Sequence, residues 1–260
     1  MHDSTYKLAT LRARIGAIEG GKPSGSAALF ALGHDRLDAR LGGGIARGRL
    51  HELFAADPVD QSSVTGFALM LAMRLGSDPF VWLRQDGGVR SSGELYAPGL
   101  IDLGCDPARI IEVQVPDETA LLRAAGDAVR CQQLAAVLIE PWKGARAFDL
   151  TASRRLSIAA EKSGVTVLAL RSAADPGPSA AYTRWRVRAI PSQVLEAGAP
   201  GLATIEITLL RHRGGIAAFH QRLEWDRDQA IFHEPPLSGA VVPVPAGGSF
   251  AAGPARRRAG

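Results

Sequence analysis

Between Leu50 and Arg171 short apolar runs alternate with longer amphipathic ones, a rhythm that few folds can accommodate. LHELF (50–54), PFVWL (79–83), ARIIEVQV (108–115), LAAVLIE (134–140) and VTVLALR (165–171) have the length and apolar density of buried strands. Between them, 62–75, 91–104, 117–131 and 150–164 read as helices, the last closed by Gly164. LGGGIARGRLHELF (41–54) supplies a Gly-rich turn into the first strand. Strands separated by helices predict a mainly parallel sheet with helices on both faces. After ADPGPSAA (174–181) the texture changes: 184–190, 203–213 and 215–225 are strand runs with no helix between them. Gly214–Gly215 between two alternating runs signals a hairpin. The expected fold class is therefore α/β, a mainly parallel sheet flanked by helices with a C-terminal antiparallel hairpin.

The two ends read differently from this core. In residues 5–19, Leu8, Leu11, Ile15 and Ile18 recur at spacings of three and four, one apolar stripe on a helix whose other face carries Lys7, Arg12, Arg14 and Glu19. GGKPSGS (20–26) is a linker, so the stripe must either fold back on its own domain or dock on a partner. Residues 237–260, rich in Gly, Pro and Ala, have too little to bury and are expected to be disordered. The division is thus 1–26, a core over 27–236, and a tail.

Charge and composition exclude several classes. Arg256, Arg257 and Arg258 account for three of the +4 net charges, which leaves residues 1–236 at +1. A basic balance confined to a tail is poor evidence for a nucleic-acid groove. No apolar run approaches a membrane span, and the N-terminus lacks the apolar centre of a secretory signal, so a cytoplasmic protein is expected. Cys105 and Cys131 show no metal spacing and suit a reducing compartment. The six histidines are scattered without ligand spacing, and no G-x-S-x-G nucleophile elbow is present.

The segment between the first strand and the first long helix is where a phosphate-binding loop, G-x-x-x-x-G-K-S/T, would lie. Aligned without a gap, Ala55 and Asp60 take the glycine positions, Gln61 the lysine and Ser62 the hydroxyl. Phosphate binding there depends on glycine amides curling round the anion and on a lysine charge. Ala55 and Asp60 restrict the backbone, Gln61 removes the cation, and Asp57 and Asp60 add negative charge. A like charge within about 4 Å of a phosphate costs on the order of 1–4 kcal/mol. No cofactor and no metal is expected, and no catalytic residue is assigned. Ser62 and Ser63 read as helix N-cap residues.

The order of pieces resembles the RecA recombinase core, and most closely the ImuA family, RecA-like accessory proteins of bacterial mutagenic translesion synthesis. The likeness spans roughly residues 5–235. It rests on Leu41 to Glu52, with the form L-G-x-G-x-x-x-G-R-h-x-E, and on LGCDPARIIEVQVPDE (103–118). It implies damage-induced (SOS) expression and action beside a Y-family polymerase-like protein and an alternative replicative polymerase alpha subunit, with RecA itself a further candidate partner. Under the resemblance Glu140 matches the acid that reaches the magnesium shell in working enzymes, while Gln85, with Asp86 beside it, stands where a carboxylate would activate water. Read as a residue alone, Glu140 is a solvated strand end. Single-stranded DNA is held in RecA-like recombinases by loops that correspond here to 141–148 and 172–181. Lys143, Arg146, Arg184, Arg186 and Arg188 are the candidate phosphate contacts, with Arg171 beside them. Trp142 either stacks on a base or packs on its helix. Arg184, Arg186 and Arg188 alternate onto one strand face, a stripe for phosphate or for an acidic partner, or else the wet face of an edge strand.

The leading expectation is a non-catalytic accessory protein whose N-terminal stripe is the partner-binding element, with at most weak direct DNA binding. The alternatives are a weak ATPase or single-strand-binding recombinase mediator, and a cell-division inhibitor of the SulA type.

Overall fold

The computed structural model describes residues 28–235, apart from 144–145, 172–173, 194, 196–198 and 200. The helix expected over 5–19, with Leu8, Leu11, Ile15 and Ile18, and the tail over 237–260 lie outside the described residues. A nine-stranded sheet organises the rest. Its strands are β3 (Leu50–Ala55), β4 (Phe80–Gln85), β5 (Ile110–Val115), β6 (Ala136–Glu140), β7 (Thr166–Leu170), β8 (Thr183–Ala189), β9 (Thr204–His212), β10 (Phe219–Asp226) and β11 (Ile231–His233). Across the sheet they run β11, β10, β9, β8, β3, β7, β6, β4, β5. The neighbours from β8 to β5 pair in parallel. The neighbours from β8 to β11 pair antiparallel. The expected hairpin is β9–β10, turned through Gly215 at φ 84°.

Strand side chains alternate between two cores because side chains in a strand point to opposite faces. In β4, Phe80 and Trp82 face one core and Val81 and Leu83 the other. The second core is covered by α5 (Glu118–Ala128) and α6 (Leu150–Ser163). The first is filled by α2 (Gln61–Arg74), whose residues Phe67 through Met73 are all buried. A helix buried all round needs neighbours on every side. The sheet out to its edge strand β11 is one, where Phe67 meets the Phe232 ring edge-on, and Phe30, Leu37, Leu41 and Ile45 share the same core; Arg74 donates to the Ala230 and Ala31 carbonyls at 3.0 and 2.9 Å.

Two features differ from the sequence reading. A small antiparallel pair, β1 (Leu29–Phe30) with β2 (Ile45–Ala46), brackets α1 (Asp35–Arg40) ahead of the main sheet. Gly44, at φ 126°, permits it, since a Cβ there would lie 2.1 Å from the Phe30 carbonyl oxygen. The helix expected over 91–104 is two: α3 (Asp86–Ser92) starts directly after β4, and α4 (Ala97–Asp102) follows. Gly93, at φ 85°, ends α3, and Pro98 opens the first turn of α4. A glycine at positive φ, a region closed to most side chains, and a proline in a first turn stop and restart a helix in this way.

Candidate functional site

Ligands of open parallel sheets bind beyond the carboxyl ends of the strands. Here that edge is formed by Ala55, Gln85, Glu140, Leu170 and Ala189. After Ala55 the chain makes a single 3-10 turn, Pro58–Asp60, and runs straight into α2. Asp60 is 2% exposed and stands at the N-cap of α2, so that position falls to Asp60 rather than to Ser62 or Ser63. Its Oδ2 accepts from the Asp57 N–H at 3.0 Å and its Oδ1 from the Ala189 N–H, at the end of β8, at 2.8 Å.

Three donors of the loop are occupied. The Ala56 N–H donates to the Val187 carbonyl at 2.9 Å, the Asp57 N–H to Asp60, and the Asp60 N–H to the Asp57 carbonyl at 2.9 Å. Pro58 has no N–H to give. Gln61 and Ser62 are exposed at the start of α2. A phosphate cradle requires several amides free and convergent; here three are bound within the fold and a buried carboxylate sits among them.

The acid of β6 is engaged as well. Glu140 Oε2 accepts from Trp82 Nε1 at 2.9 Å and from Arg84 Nε at 3.1 Å. Arg84 also pairs with Glu112 at 3.0 Å and donates Nη2 to the Gly93 carbonyl. Glu140 is thus not a solvated strand end: its side chain is 21% exposed and shares a guanidinium with a second carboxylate. Arg84, the residue before Gln85 on the neighbouring strand, supplies Glu140 with the positive charge that a magnesium ion would otherwise provide. Gln85 Oε1 accepts from the Trp142 N–H at 3.1 Å, and Asp86 begins α3.

The candidate nucleic-acid contacts scatter. Arg184 is buried, and its Nε donates to Glu52 at 2.9 Å while Nη2 bonds the Gly177 carbonyl. This corrects its place among the phosphate contacts, because the crossover from β7 to β8 passes over it. Glu52, fully buried in β3, also accepts from Ser179 Oγ at 2.7 Å and lies 3.6 Å from Arg171. Burial pulls the Arg171 guanidinium below its ordinary range, and Glu52 acts against that pull. The strand is not an edge either, since β8 lies between β9 and β3. Arg186 and Arg188 are exposed, the latter 3.7 Å from Asp57. Trp142 lies against Gly87, where an added Cβ would come within 2.0 Å of the indole, and Lys143 Nζ sits 4.1 Å from its ring centre. The indole is 40% exposed, so it packs on α3 with part of its face open. Arg146 is exposed and lines a cleft of about 450 Å³ with Phe148, Asp149 and Arg171.

Sequence reasoning passed over Glu52, Arg84 and His51. The signal was there: an ionisable residue inside an otherwise apolar strand is almost never buried without a partner. His51 Nε2 bonds the Ala46 carbonyl at 2.8 Å and Nδ1 bonds Thr183 Oγ1 at 2.7 Å, and Thr183 Oγ1 accepts from Trp185 Nε1. Burial lowers its pKa to about 4, so the ring is neutral. Among the described residues no group of histidine, cysteine and carboxylate side chains could hold a metal, and no helix is long and apolar enough to cross a membrane.

Three comparisons place the chain among known proteins. No protein-family model matches it. It is 34% identical over 180 residues to Protein ImuA from two strains of Caulobacter vibrioides, covering 63% of this chain and 70% of the relative. A crystal structure of the RadB recombinase superposes with a TM-score of 0.55 at 15% identity, covering 80% of this chain and 100% of that one, a likeness of fold alone.

Proposed function

This chain belongs to the ImuA family, and from that premise we propose that it is a non-catalytic RecA-like accessory protein in the DNA-damage response. In this reading it serves damage-induced translesion synthesis and mutagenesis through protein contacts, in the cytoplasm. Its partners are a Y-family polymerase-like protein and an alternative replicative polymerase, with RecA as a further candidate. The observation that carries the non-catalytic part is the closed loop. Asp60 holds one amide of the loop, that of Asp57, and one at the end of β8, that of Ala189, and Gln61 stands where a lysine would be. The pairing of Glu140 with Arg84 supports the same reading, since a metal would have to compete with a guanidinium. A protein with no nucleotide cycle acts through surfaces, and the stripe Leu8, Leu11, Ile15 and Ile18 is the proposed partner element. Arg146 and Arg186 leave room for weak contact with nucleic acid and no more.

Co-expression of the full chain with the Y-family polymerase-like protein of the same genome tests this. The complex is expected to co-purify through buffers containing a chelator and no nucleotide. A complex that forms only when magnesium and ATP are added would contradict the reading and favour a working ATPase.

A further inference from the structure

The environment of Asp60 carries an inference that does not depend on any partner. Anions bind at helix N-termini because unpaired amides converge there and the helix dipole favours negative charge. Here a carboxylate of the chain itself stands at such a terminus, although it takes its hydrogen bonds from other elements and not from the amides of α2. The Asp60 carboxylate is 2% exposed, opens the 14-residue helix α2, and accepts from two amides on different elements, Asp57 of the loop and Ala189 at the end of β8. Among the described residues no lysine or arginine is bonded to it: the nearby Arg188 pairs with Asp57, at the exposed side of the loop. A buried carboxylate stabilised by amides and a helix terminus is in the chemical situation of a bound oxyanion.

We propose that Asp60 is a built-in substitute for that oxyanion, an internal occupant that keeps the strand–loop–helix closed and ties it to β8 in the absence of any ligand. The carboxylate bridges the loop and the last residue of β8, a link that a diffusible anion would make only while bound. The carboxyl edge of the sheet therefore holds one conformation at all nucleotide concentrations. This follows from the loop geometry and stands whether or not the partner reading is right.

Chemical rescue tests it on the isolated full chain. Asp60→Ala vacates the seat and frees both amides, and is expected to lower the melting temperature by about 3–6 °C. Inorganic phosphate at tens of millimolar should then recover at least half of the loss, beyond the rise it gives the wild-type chain and beyond sodium chloride of equal ionic strength. Asp60→Asn fills the same space, so it should be destabilised without being rescued. Should Asp60→Ala not fold, Asp60→Ser, which leaves most of the seat empty, is read the same way. Loss of stability without phosphate rescue would reduce Asp60 to a helix cap and overturn the proposal. So would a wild-type chain stabilised by phosphate as much as Asp60→Ala is.

Discussion

Glu52 shows at the scale of one residue how this chain spends its charges. It is fully buried in the middle of β3 and holds Arg171 at the start of the β7–β8 crossover, Ser179 within it and Arg184 on β8. Such a network is costly to half-dismantle, because the partner left behind is a buried, unpaired charge. Glu52→Gln is therefore expected to destabilise the chain by about 3–5 kcal/mol. Glu52→Leu combined with Arg184→Met should recover a large part of that. Urea unfolding of the single and double variants reads both values. A single variant within about 0.5 kcal/mol of wild type would mean that the guanidinium groups find water or other acceptors once the carboxylate is gone. Arg184 also marks where sequence stops being informative. Strand parity puts Arg184, Arg186 and Arg188 on one face, but parity does not say which part of that face a crossover covers. The covering Ser179 and Gly177 meet it only after folding.

Elements were more legible than contacts. The five strands from β3 to β7 lie where the short apolar runs are, because strands buried on both faces leave no other composition. The split between α3 and α4 was not legible, since Gly93 could as well have been tolerated inside one poor helix. The two motifs behind the family resemblance turn out to encode backbone geometry. Gly44 lets β1 and β2 meet, and Gly48, at φ 62°, passes so close to Gly164 that an added Cβ would lie 3.1 Å from its Cα. Arg49 pairs with Glu161, and Gly104 faces the Arg227 carbonyl. Asp117 caps α5. Of the candidate site, the degenerate loop was readable position by position. Its closure by Asp60 was not, because the bond to Ala189 spans 129 residues. The N-terminal stripe is the proposed partner surface. Leu11→Asp with Ile15→Asp should abolish partner binding while leaving the melting temperature of the core unchanged. Each stripe residue contributes about 1.5–3 kcal/mol when buried, before ordering costs. Wild-type affinity in the double variant, measured by co-purification, would move the surface elsewhere; aggregation or unfolding would assign the stripe to the chain's own core.

At the scale of the whole described core, a RecA-like sheet with helices on both faces, the response to acid follows from the His51 ring sealed within β3. His51 titrates near 6.5 when unfolded and near 4 when folded. Between those values the unfolded chain binds the extra proton, so stability rises with pH. His51 therefore contributes fully above about pH 6.5, and roughly 3 kcal/mol is lost as pH falls to about 4. Comparing unfolding midpoints of wild type and His51→Gln across that range isolates the term: the wild-type slope should exceed that of the variant. Equal slopes would mean that the ring is not sealed.

Calorimetric titration of magnesium ATP into the full chain tests most directly the proposal that this RecA-like molecule does not use nucleotide. The closed loop predicts no binding tighter than the millimolar range, because three amides of the loop are bound within the fold and Gln61 brings no charge. Binding in the micromolar range, with turnover that disappears in Glu140→Gln, would contradict it.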